Sequence, residues 1–238
     1  MKLSVLMPVY NEAATIAMAV KRVLDVPYPW DLELVVVDDG STDGTADVLA
    51  GLGADAMVIH RHERNQGKGA AIRTASQVAT GDYMVICDAD LEYAPEEIPS
   101  LLAPVIAGTT EIVYGTRRFG SQSSFSFWYV MGNKAVTTYA NVMFNCYLSD
   151  VETCFKLMPL PLYRELDIRS AGFGVEAEAT AKLLARGHRP YEVPVSYHAR
   201  DRAQGKKITW TDGVAALWII TRIRLTAARK RHRPVRGR

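Results

Sequence analysis

Short apolar runs alternate with longer amphipathic segments over the first 120 residues of the chain. Five apolar runs have the length of β-strands, and they are Leu3–Met7, Leu32–Val37, Ala56–Ile59, Tyr83–Cys87 and Ile112–Tyr114. Because these runs are apolar at successive positions rather than at every second one, both faces of each strand are predicted to be buried. The pattern predicts an α/β fold with a mostly parallel sheet that is flanked by helices.

Helices are expected in the segments between these strands. Four of them are predicted to begin near Asn11, Thr42, Gly69 and Pro95. Asn11, and Ser41 or Thr42, follow strand ends and are expected to cap the first two helices. A second α/β stretch is predicted further along, with a helix near Val175–Ala185 and a strand near Tyr191–Ser196.

The composition fits a single globular unit. Of the 238 residues, 48% are hydrophobic and 23% are charged, which excludes a disordered chain. Three cysteines without a metal-type spacing, and the lack of a signal-like start, lead us to expect a reduced cytoplasmic protein. The apolar run Val214–Ile220 is much shorter than the roughly 20 residues of a membrane-spanning helix.

His60 and His62 lack a third metal ligand and are expected at the surface.

Charge is distributed unevenly along the chain. The net charge is +2, but residues 213–238 contain eight Lys or Arg and no acid, so the first 212 residues carry −6. A basic block that follows an apolar segment is typical of contact with anionic lipid or nucleic acid, and a solvated tail is the plain alternative. We expect peripheral membrane contact and no nucleic acid partner.

Aromatic side chains are concentrated in residues 119–149. They are Phe119, Phe125, Phe127, Trp128, Tyr129, Tyr139, Phe144 and Tyr147. Two interpretations are open, because such residues form the core side of buried helices and also suit the interfacial depth of a membrane.

Polar residues follow four of the predicted strands. These strand ends are Pro8–Glu12, Asp38–Ser41, Asp88–Asp90 and Gly115–Arg117. Ligands of open parallel sheets bind at the carboxyl ends of the strands, so these residues are the candidates for chemistry. Asp88 and Asp90 repel each other unless a cation compensates them, and their hard oxygen atoms suit Mg²⁺ or Mn²⁺.

Five motifs in this order resemble the inverting family 2 glycosyltransferases of the GT-A fold. The motifs are PVYNE (8–12), DDGSTDGT (38–45), RNQGKGAA (64–71), GDYMVICDADLEYAPEE (81–97) and GTR (115–117). Within that family the chain is most similar to the branch of dolichol-phosphate mannose synthases, and the resemblance continues through SDVETCFKLMP (149–159) to the QGKK segment (204–207). It implies a Rossmann-like GT-A domain over 1–212, with a nucleotide-sugar half (1–118), an acceptor half (119–212), and a C-terminal helix with a basic tail (213–238).

The resemblance also implies a role for each matched residue in donor binding. The expected nucleotide-sugar pocket consists of Pro8, Tyr10, Glu12, Asp38, Asp39, Lys68, Asp88, Ala89, Asp90, Arg117, Arg202 and Lys206. Within it, Asp39 would read the edge of the base, Asp38 would support that loop, and Lys68 would touch the nucleotide or simply begin a helix. Asp88, Asp90 and Glu92 would hold Mg²⁺ or Mn²⁺, which stabilises the charge of the departing nucleotide.

Positive charge near the leaving group is expected from Arg117, Arg202, Lys206 and Lys207. The last three lie in a segment, 200–207, that resembles the loop which closes over the donor in this family. For Arg202 and Lys206, ordinary surface charge is the open alternative.

Asp90 and Asp150 are the expected catalytic residues. Asp150 matches the position of the base that is proposed for the family, and whether it removes a proton or positions the acceptor depends on the acceptor. A sugar hydroxyl needs a base, whereas a lipid phosphate is already largely ionised at neutral pH. A helix-capping role for Asp150 is a further alternative, and Glu176 or Glu178 is a candidate to share its role.

The implied reaction is the transfer of a hexose from a nucleotide sugar, of the GDP-mannose or UDP-glucose type, to a polyprenyl or dolichyl phosphate. It would proceed with inversion and a divalent metal, on a protein held peripherally at the inner face of the cytoplasmic membrane. The alternative acceptor is a sugar hydroxyl of a glycolipid or polysaccharide. The sequence leaves open whether a membrane-embedded partner protein is involved.

Overall fold

A computed structural model of the chain describes residues 1–53, 56–117, 127–199 and 209–231. The strands are β1 (Lys2–Val9), β2 (Asp31–Asp38), β3 (Met57–Arg61), β4 (Tyr83–Ile86), β5 (Val113–Thr116), β6 (Lys156–Pro159) and β7 (Tyr191–Pro194). The helices are α1 (Ile16–Asp25), α2 (Thr45–Ala50), α3 (Lys68–Val78), α4 (Ile98–Ile106), α5 (Phe127–Phe144), α6 (Leu160–Glu165), α7 (Val175–Ala185) and α8 (Trp210–Arg231), with a 3₁₀ turn at Pro95–Glu97 before α4.

The seven strands form one sheet in the order β3-β2-β1-β4-β6-β5-β7. Only β6 runs antiparallel to its neighbours, β4 and β5, and the other strand pairs are parallel. Because β6 is antiparallel to both, β5 points in the same direction as β1, β2 and β4. The predicted α/β fold with a mostly parallel sheet is confirmed.

Burial on both faces explains the apolar runs of β1, β2, β4 and β5, whereas β3 at the edge of the sheet is mostly exposed, so the prediction of burial was wrong for β3. Every residue from Leu34 to Val37 in β2 is fully buried, as are Leu3 and the run Val5–Met7 in β1. The helices cover these faces with side chains at helical spacing, such as Ile16, Val20 and Val23 of α1. The sheet core is therefore continuous from the first strand to the helices that flank it.

Strand β6 was not predicted. Its sequence places Lys156 directly after the apolar residues Cys154 and Phe155, and a charge at that point does not suggest a central strand. The side chain of Lys156 is nevertheless fully buried. The strand exists because β4 and β5 enclose it on both sides.

The two helix-cap predictions were wrong. Helix α1 begins after Thr15 and α2 begins after Gly44, which has a φ of 87°, and neither cap residue makes a side-chain hydrogen bond to its helix. Asn11 and Ser41 lie several residues before these helices, where they connect two loops.

Helix α5 covers residues 127–144 of the aromatic segment, whereas Phe119 and Phe125 lie outside the described residues. The core interpretation holds for one face of α5, and the membrane-interface interpretation stays a prediction. Val136, Ala140 and Phe144 are buried in a second hydrophobic cluster that α7 and α8 share. Phe127 and Trp128, at the start of the helix, are exposed. Among the described residues no helix combines the length and the apolar character that crossing a membrane requires.

The three cysteines carry free thiols, and Cys87 and Cys154 are buried. Burial raises the pKa of the Cys87 thiol, as expected for a small core residue.

Helix α8 begins three residues before the predicted boundary at residue 213. The predicted division of the chain into a nucleotide-sugar half, an acceptor half and a C-terminal tail stays a prediction.

A buried carboxylate joins the first strands of the sheet. Glu33 of β2 accepts hydrogen bonds from Ser4 Oγ (2.6 Å), from the backbone N–H of Thr80 (2.8 Å), from Thr80 Oγ1 (2.7 Å) and from Lys2 Nζ (3.0 Å). Burial alone would raise the pKa of Glu33, but these hydrogen bonds outweigh it and lower the pKa to about 2. The charged form of Glu33 therefore stabilises the folded chain.

We predict that the stability contributed by Glu33 is lost in acid. Because the folded pKa lies below the unfolded value of about 4.3, the contribution is present above that value and disappears as the pH falls towards about 2. Glu33→Gln should lower the melting temperature at pH 7, and this difference from the wild type should shrink as the pH falls from about 5 to about 2. Thermal unfolding measures it, with exposed Glu63→Gln as the control. A difference that stays constant on acidification would contradict the assignment.

Candidate active site

The polar strand ends meet at one edge of the sheet. Strand β1 lies between β2 and β4 and runs parallel to both, and β5 has the same direction. The loops that follow these four strands therefore lie at the same edge, as the sequence predicts.

The loops after β1 and β2 are fastened to each other. Ser41 Oγ accepts from the backbone N–H of Asn11 (2.9 Å), and Asn11 Oδ1 accepts from that of Thr42 (2.8 Å). Thr45 Oγ1 accepts from the N–H of Glu12 (2.9 Å). The polar groups that were expected to cap helices are thus used between the loops, where they hold the candidate nucleotide residues in place.

Pro8, Tyr10 and Glu12 line the start of this edge. Pro8 is buried at the end of β1, and Tyr10 and Glu12 are half-buried just beyond it. Glu12 Oε2 accepts a hydrogen bond from Thr15 Oγ1 at 2.8 Å. Their contact with a nucleotide stays a prediction.

Asp39 organises a neighbouring loop. Its carboxylate is buried and accepts from the backbone N–H of Gln66 (2.9 Å) and of Gly67 (2.7 Å), and it lies 2.7 Å from His62 Nδ1. The expectation that His62 lies at the surface was wrong, since its ring is buried and its Nε2 is 2.9 Å from Thr74 Oγ1. The base-reading role of Asp39 stays a prediction, and these contacts add a structural role that the sequence did not indicate.

Asp38 is tied to the same region. Its Oδ1 accepts from the backbone N–H of Ser41 at 2.9 Å, and its Oδ2 lies 3.2 Å from Arg61 Nε. Gly40, between these residues, has a φ of 72°, and a Cβ there would lie 2.6 Å from the carbonyl carbon of Arg64. Only glycine fits where the two loops approach this closely.

Lys68 begins α3 and pairs with two carboxylates. Its Nζ lies 2.7 Å from Asp88 Oδ2 and 2.7 Å from Glu176 Oε1. Burial would lower the pKa of Lys68, but the charges of Asp88 and Glu176 raise it well above its ordinary value. Lys68 is therefore a cation that joins the end of β4 to helix α7, in addition to beginning a helix.

The segment after β4 holds the predicted metal ligands. Asp88 and Asp90 flank the buried Ala89, and Asp90 Oδ1 accepts from the backbone N–H of Glu92 at 3.0 Å. Glu92 Oε2 accepts a hydrogen bond from the hydroxyl of Tyr197. In the described part of the chain no group of three His, Cys, Asp or Glu side chains could hold a metal by itself. A cation at Asp88 and Asp90 would therefore complete its coordination with oxygen atoms from the ligand or water.

Arg117 and Asp150 form a bidentate ion pair. Arg117 Nε and Nη2 donate to the two carboxylate oxygens of Asp150 at 2.6 and 2.9 Å, and Asn133 Nδ2 of α5 donates to Oδ1 at 3.1 Å. Burial would raise the pKa of Asp150, but the charge and hydrogen bonds of Arg117 and the hydrogen bond of Asn133 hold it below its ordinary value. Asp150 lies between α5 and β6, so the helix-cap alternative was wrong.

Tyr197 connects the two parts of the site and was not predicted from the sequence. Its hydroxyl donates to Glu92, and its ring lies below Arg117, with the guanidinium carbon 4.9 Å from the ring centroid. The segment that carries Tyr197 also pairs by backbone with the one after β4, since the N–H of His198 donates to the carbonyl of Glu92 at 2.8 Å. The candidate metal segment and the Arg117–Asp150 pair are thus neighbours.

Two further charged residues of the site were missed. Lys156 Nζ donates to the carbonyls of Val151 (2.9 Å) and Thr153, and burial lowers the pKa of Lys156 to about 8. Burial and the charge of Glu176 raise the pKa of Glu152 to about 7, and its Oε1 is buried without a hydrogen-bond partner within the described structure. The signal that could have found Lys156 is a lysine inside an otherwise apolar run.

The other candidate residues are placed as follows. Glu176 faces the site through Lys68, whereas Glu178 accepts from the backbone N–H groups of Arg169 and Ser170. Arg202, Lys206 and Lys207 lie outside the described residues.

Comparison with known proteins agrees with this geometry. Residues 4–166 match the family profile described as Glycosyl transferase family 2. The chain is 31% identical over 208 residues to the low-salt glycan biosynthesis hexosyltransferase Agl6 of Haloferax volcanii, which covers 84% of this chain and 48% of that protein. It is 29% identical over 217 residues to the undecaprenyl-phosphate mannosyltransferase of Micrococcus luteus, with 87% of each chain covered.

A solved structure supports the fold. Glucosyl-3-phosphoglycerate synthase of Mycobacterium tuberculosis, determined with Mn²⁺, UDP and glucosyl-3-phosphoglycerate, superimposes with a TM-score of 0.68 at 21% identity, over 95% of this chain and 79% of that one. The fold is the GT-A fold of sugar-transferring enzymes. The chain belongs to glycosyl transferase family 2, and it spans about half the length of the Haloferax relative.

We predict that Lys68 stabilises the folded protein through its ion pairs with Asp88 and Glu176. Lys68→Met leaves both carboxylates without their cation and should lower the free energy of unfolding by about 3–5 kcal/mol. Adding Glu176→Gln should recover part of this loss, because one uncompensated charge is removed. Urea unfolding measures both effects.

The matched control is Lys21→Met on α1, whose exposed pair with Asp25 should contribute less than about 1 kcal/mol. If Lys68→Met cost no more than this control, or if Glu176→Gln made the loss larger, the assigned role of Lys68 would be wrong.

Proposed function

We propose that the chain transfers a hexose from a nucleoside diphosphate sugar, of the GDP-mannose or UDP-glucose type, to a polyprenyl or dolichyl phosphate. The anomeric carbon is inverted when the acceptor phosphate oxygen displaces the nucleoside diphosphate. The named activity of the Micrococcus relative, undecaprenyl-phosphate mannosyl transfer, supports this acceptor class.

The state of Asp150 is the observation that carries the proposal. Both of its carboxylate oxygens are held by Arg117, and its pKa lies below the ordinary value, so it is a weak base. A sugar hydroxyl must lose a proton as it attacks and needs a stronger base than this. A phosphate monoester has a second pKa of about 6 and is already mostly dianionic at neutral pH, so it needs only to be positioned.

Arg117 is the residue that positions the acceptor in this proposal. Asp150 uses two of the five N–H donors of the guanidinium, Nε–H and one on Nη2, and the other three suit a phosphate oxygen. Asp150 fixes the orientation of the fork, and Asn133 fixes Asp150. The ring of Tyr197 below the guanidinium restricts it further.

The donor would be bound at the ends of β1, β2 and β4. Asp88 and Asp90 would hold Mg²⁺ or Mn²⁺ with the diphosphate, and Glu92 is the third candidate ligand. The cation, when bound, stabilises the negative charge of the leaving diphosphate. Lys68 Nζ lies 2.7 Å from Asp88 Oδ2, and Arg202 and Lys206 are proposed to add positive charge. The Mn²⁺ and UDP in the Mycobacterium structure support this donor site.

The acceptor places the reaction at a membrane. We propose that the chain works peripherally at the cytoplasmic face, where the phosphate of a polyprenyl lipid is exposed to water. A sugar hydroxyl of a glycolipid or polysaccharide is the alternative acceptor, and the low basicity of Asp150 disfavours it.

The test is hexose transfer by the wild type and by Asp150→Asn. With a radiolabelled nucleotide sugar, polyprenyl phosphate and Mg²⁺ or Mn²⁺, the wild type should form a chloroform-soluble product. Asp150→Asn should slow transfer by about tenfold, since orientation is weakened and no proton has to be removed. Melting temperature confirms that the variant is folded.

Two outcomes would contradict the proposal. One is the absence of chloroform-soluble product with every polyprenyl phosphate and both nucleotide types. The other is transfer to a sugar hydroxyl that falls by a factor of about 10²–10⁴ or more in Asp150→Asn, because Asp150 would then be a general base.

A further inference from the structure

Glu152 is one of the charged groups of the site, and one of its carboxyl oxygens has no donor to compensate it. Its Oε1 is buried and has no hydrogen-bond partner within the described structure. The neighbouring carboxylates do have partners. Asp150 accepts two hydrogen bonds from Arg117. Glu176 pairs with Lys68 at 2.7 Å. The cations of these two pairs are thus directed at oxygen atoms other than Glu152 Oε1.

Lys156 is the cation that the sequence places closest to Glu152, but its ammonium group is used for the backbone. Its Nζ donates to the carbonyls of Val151 (2.9 Å) and Thr153, which are the residues on either side of Glu152. The ring centroid of Tyr114 lies 4.6 Å from the same nitrogen. Two of the three N–H donors of the ammonium group are therefore taken by carbonyl oxygens. Lys156 fixes the shape of the turn at residues 151–153 and leaves the Glu152 carboxyl group without a hydrogen bond to Oε1.

A buried carboxyl oxygen without a donor favours the protonated form of the group. An ionised carboxylate in such a position is costly, and a proton removes that cost. Burial and the charges of Glu176 on α7 and of Asp150 raise the pKa of Glu152 to about 7, against the opposing charges of Lys156 on β6 and of Arg117 after β5. Glu152 therefore carries a proton in a large fraction of the molecules at neutral pH, and a change of charge nearby shifts that fraction.

The acceptor phosphate would bring such a change of charge. Glu152 follows Asp150 by two residues, and it is close enough to the Arg117–Asp150 pair to respond to the charges of both. In the proposed reaction a phosphate that is mostly dianionic at neutral pH binds to Arg117. Two negative charges at that position would favour the neutral form of Glu152. Because such coupling is reciprocal, an ionised Glu152 would weaken the binding of the phosphate.

We propose that Glu152 controls the binding of the acceptor phosphate through its own proton. The neutral carboxyl group admits the dianion beside Arg117, and the carboxylate repels it. The proposal rests on the proposed function, since it names a residue that sets the acceptor affinity of that site. Glu152 exchanges its proton with water and gives none to the sugar or the phosphate, so the transfer reaction itself is unchanged.

Isothermal titration calorimetry with a short, water-soluble polyprenyl phosphate tests the proposal. At pH 7.5 the wild type should take up as much as about 0.8 proton per bound acceptor more than Glu152→Gln does, which the binding enthalpy in buffers of different ionisation enthalpy measures. Between pH 6.5 and pH 8 the Kd of the wild type should rise by a factor about fivefold larger than the Kd of the variant, because Glu152 is mostly neutral at the first pH and mostly ionised at the second.

Two comparisons isolate Glu152 in that experiment. Lys156, whose pKa burial lowers to about 8, is present in both proteins, so the difference between them belongs to Glu152. The matched control is Glu165→Gln on α6, at a side chain that is 71% exposed, and its Kd should depend on pH as the wild type's does.

Thermal unfolding measures the protonation of Glu152 without any ligand. Because folding raises the pKa of Glu152 above the unfolded value of about 4.3, the stability linked to its proton is present below that value and is lost as the pH rises through about 7. The melting temperature of the wild type should therefore fall relative to that of Glu152→Gln between about pH 4.5 and about pH 7.5. Glu165→Gln should show no such change relative to the wild type.

Three results would overturn the proposal. They are an acceptor Kd with the same pH dependence in Glu152→Gln and in the wild type, equal proton uptake by both, and a difference in melting temperature that does not change with pH. Absence of acceptor binding and of hexose transfer in the wild type at every pH would instead contradict the proposed function. Binding and transfer that are present but equal in both proteins at each pH would contradict the role of Glu152 alone.

Discussion

Buried carboxylates at one edge of the sheet impose the constraint on which the rest of the site depends. A carboxylate removed from water is costly unless a cation or several donors compensate it. Lys68 does so for Asp88 and Glu176, and Arg117 does so for Asp150. These pairs also fix positions, because each one joins elements that are distant in the sequence. The ion pairs that compensate the buried charges therefore also fix the geometry of the site.

The same constraint explains why Asp150 has a different role from Asp88 and Asp90 in the proposed reaction. Arg117 neutralises Asp150, which makes Asp150 a weak base and makes the pair suited to orient an acceptor that is already ionised. In the proposed reaction a diphosphate would bring further negative charge to Asp88 and Asp90. A divalent cation would compensate that repulsion, which the single charge of Lys68 does not.

Apolar patterning predicted β1 to β5 and the convergence of their ends, and β7 was predicted near Tyr191–Ser196, so six of the seven described strands were predicted. Burial on both faces gives most of the first five strands a clear signal in the sequence. The family motifs indicated Asp88, Asp90, Arg117 and Asp150. Strand β6 was missed because Lys156 interrupts its apolar run. The buried ammonium group of Lys156 is compensated by carbonyl groups of the preceding loop. Tyr197 was missed, and His62 was wrongly expected at the surface. Their partners, Glu92 and Asp39, are distant in the sequence. Contacts of that kind leave no local pattern.

The central claim is that Asp88 and Asp90 hold a divalent cation together with the nucleotide diphosphate. Electron paramagnetic resonance of Mn²⁺ tests it without reference to turnover, because bound Mn²⁺ loses the sharp signal of the free ion. Addition of GDP or UDP to the wild type should produce nucleotide-dependent binding of Mn²⁺, and Asp88→Asn/Asp90→Asn should abolish it while the chain remains folded. Unchanged nucleotide-dependent Mn²⁺ binding by that double variant would contradict the account.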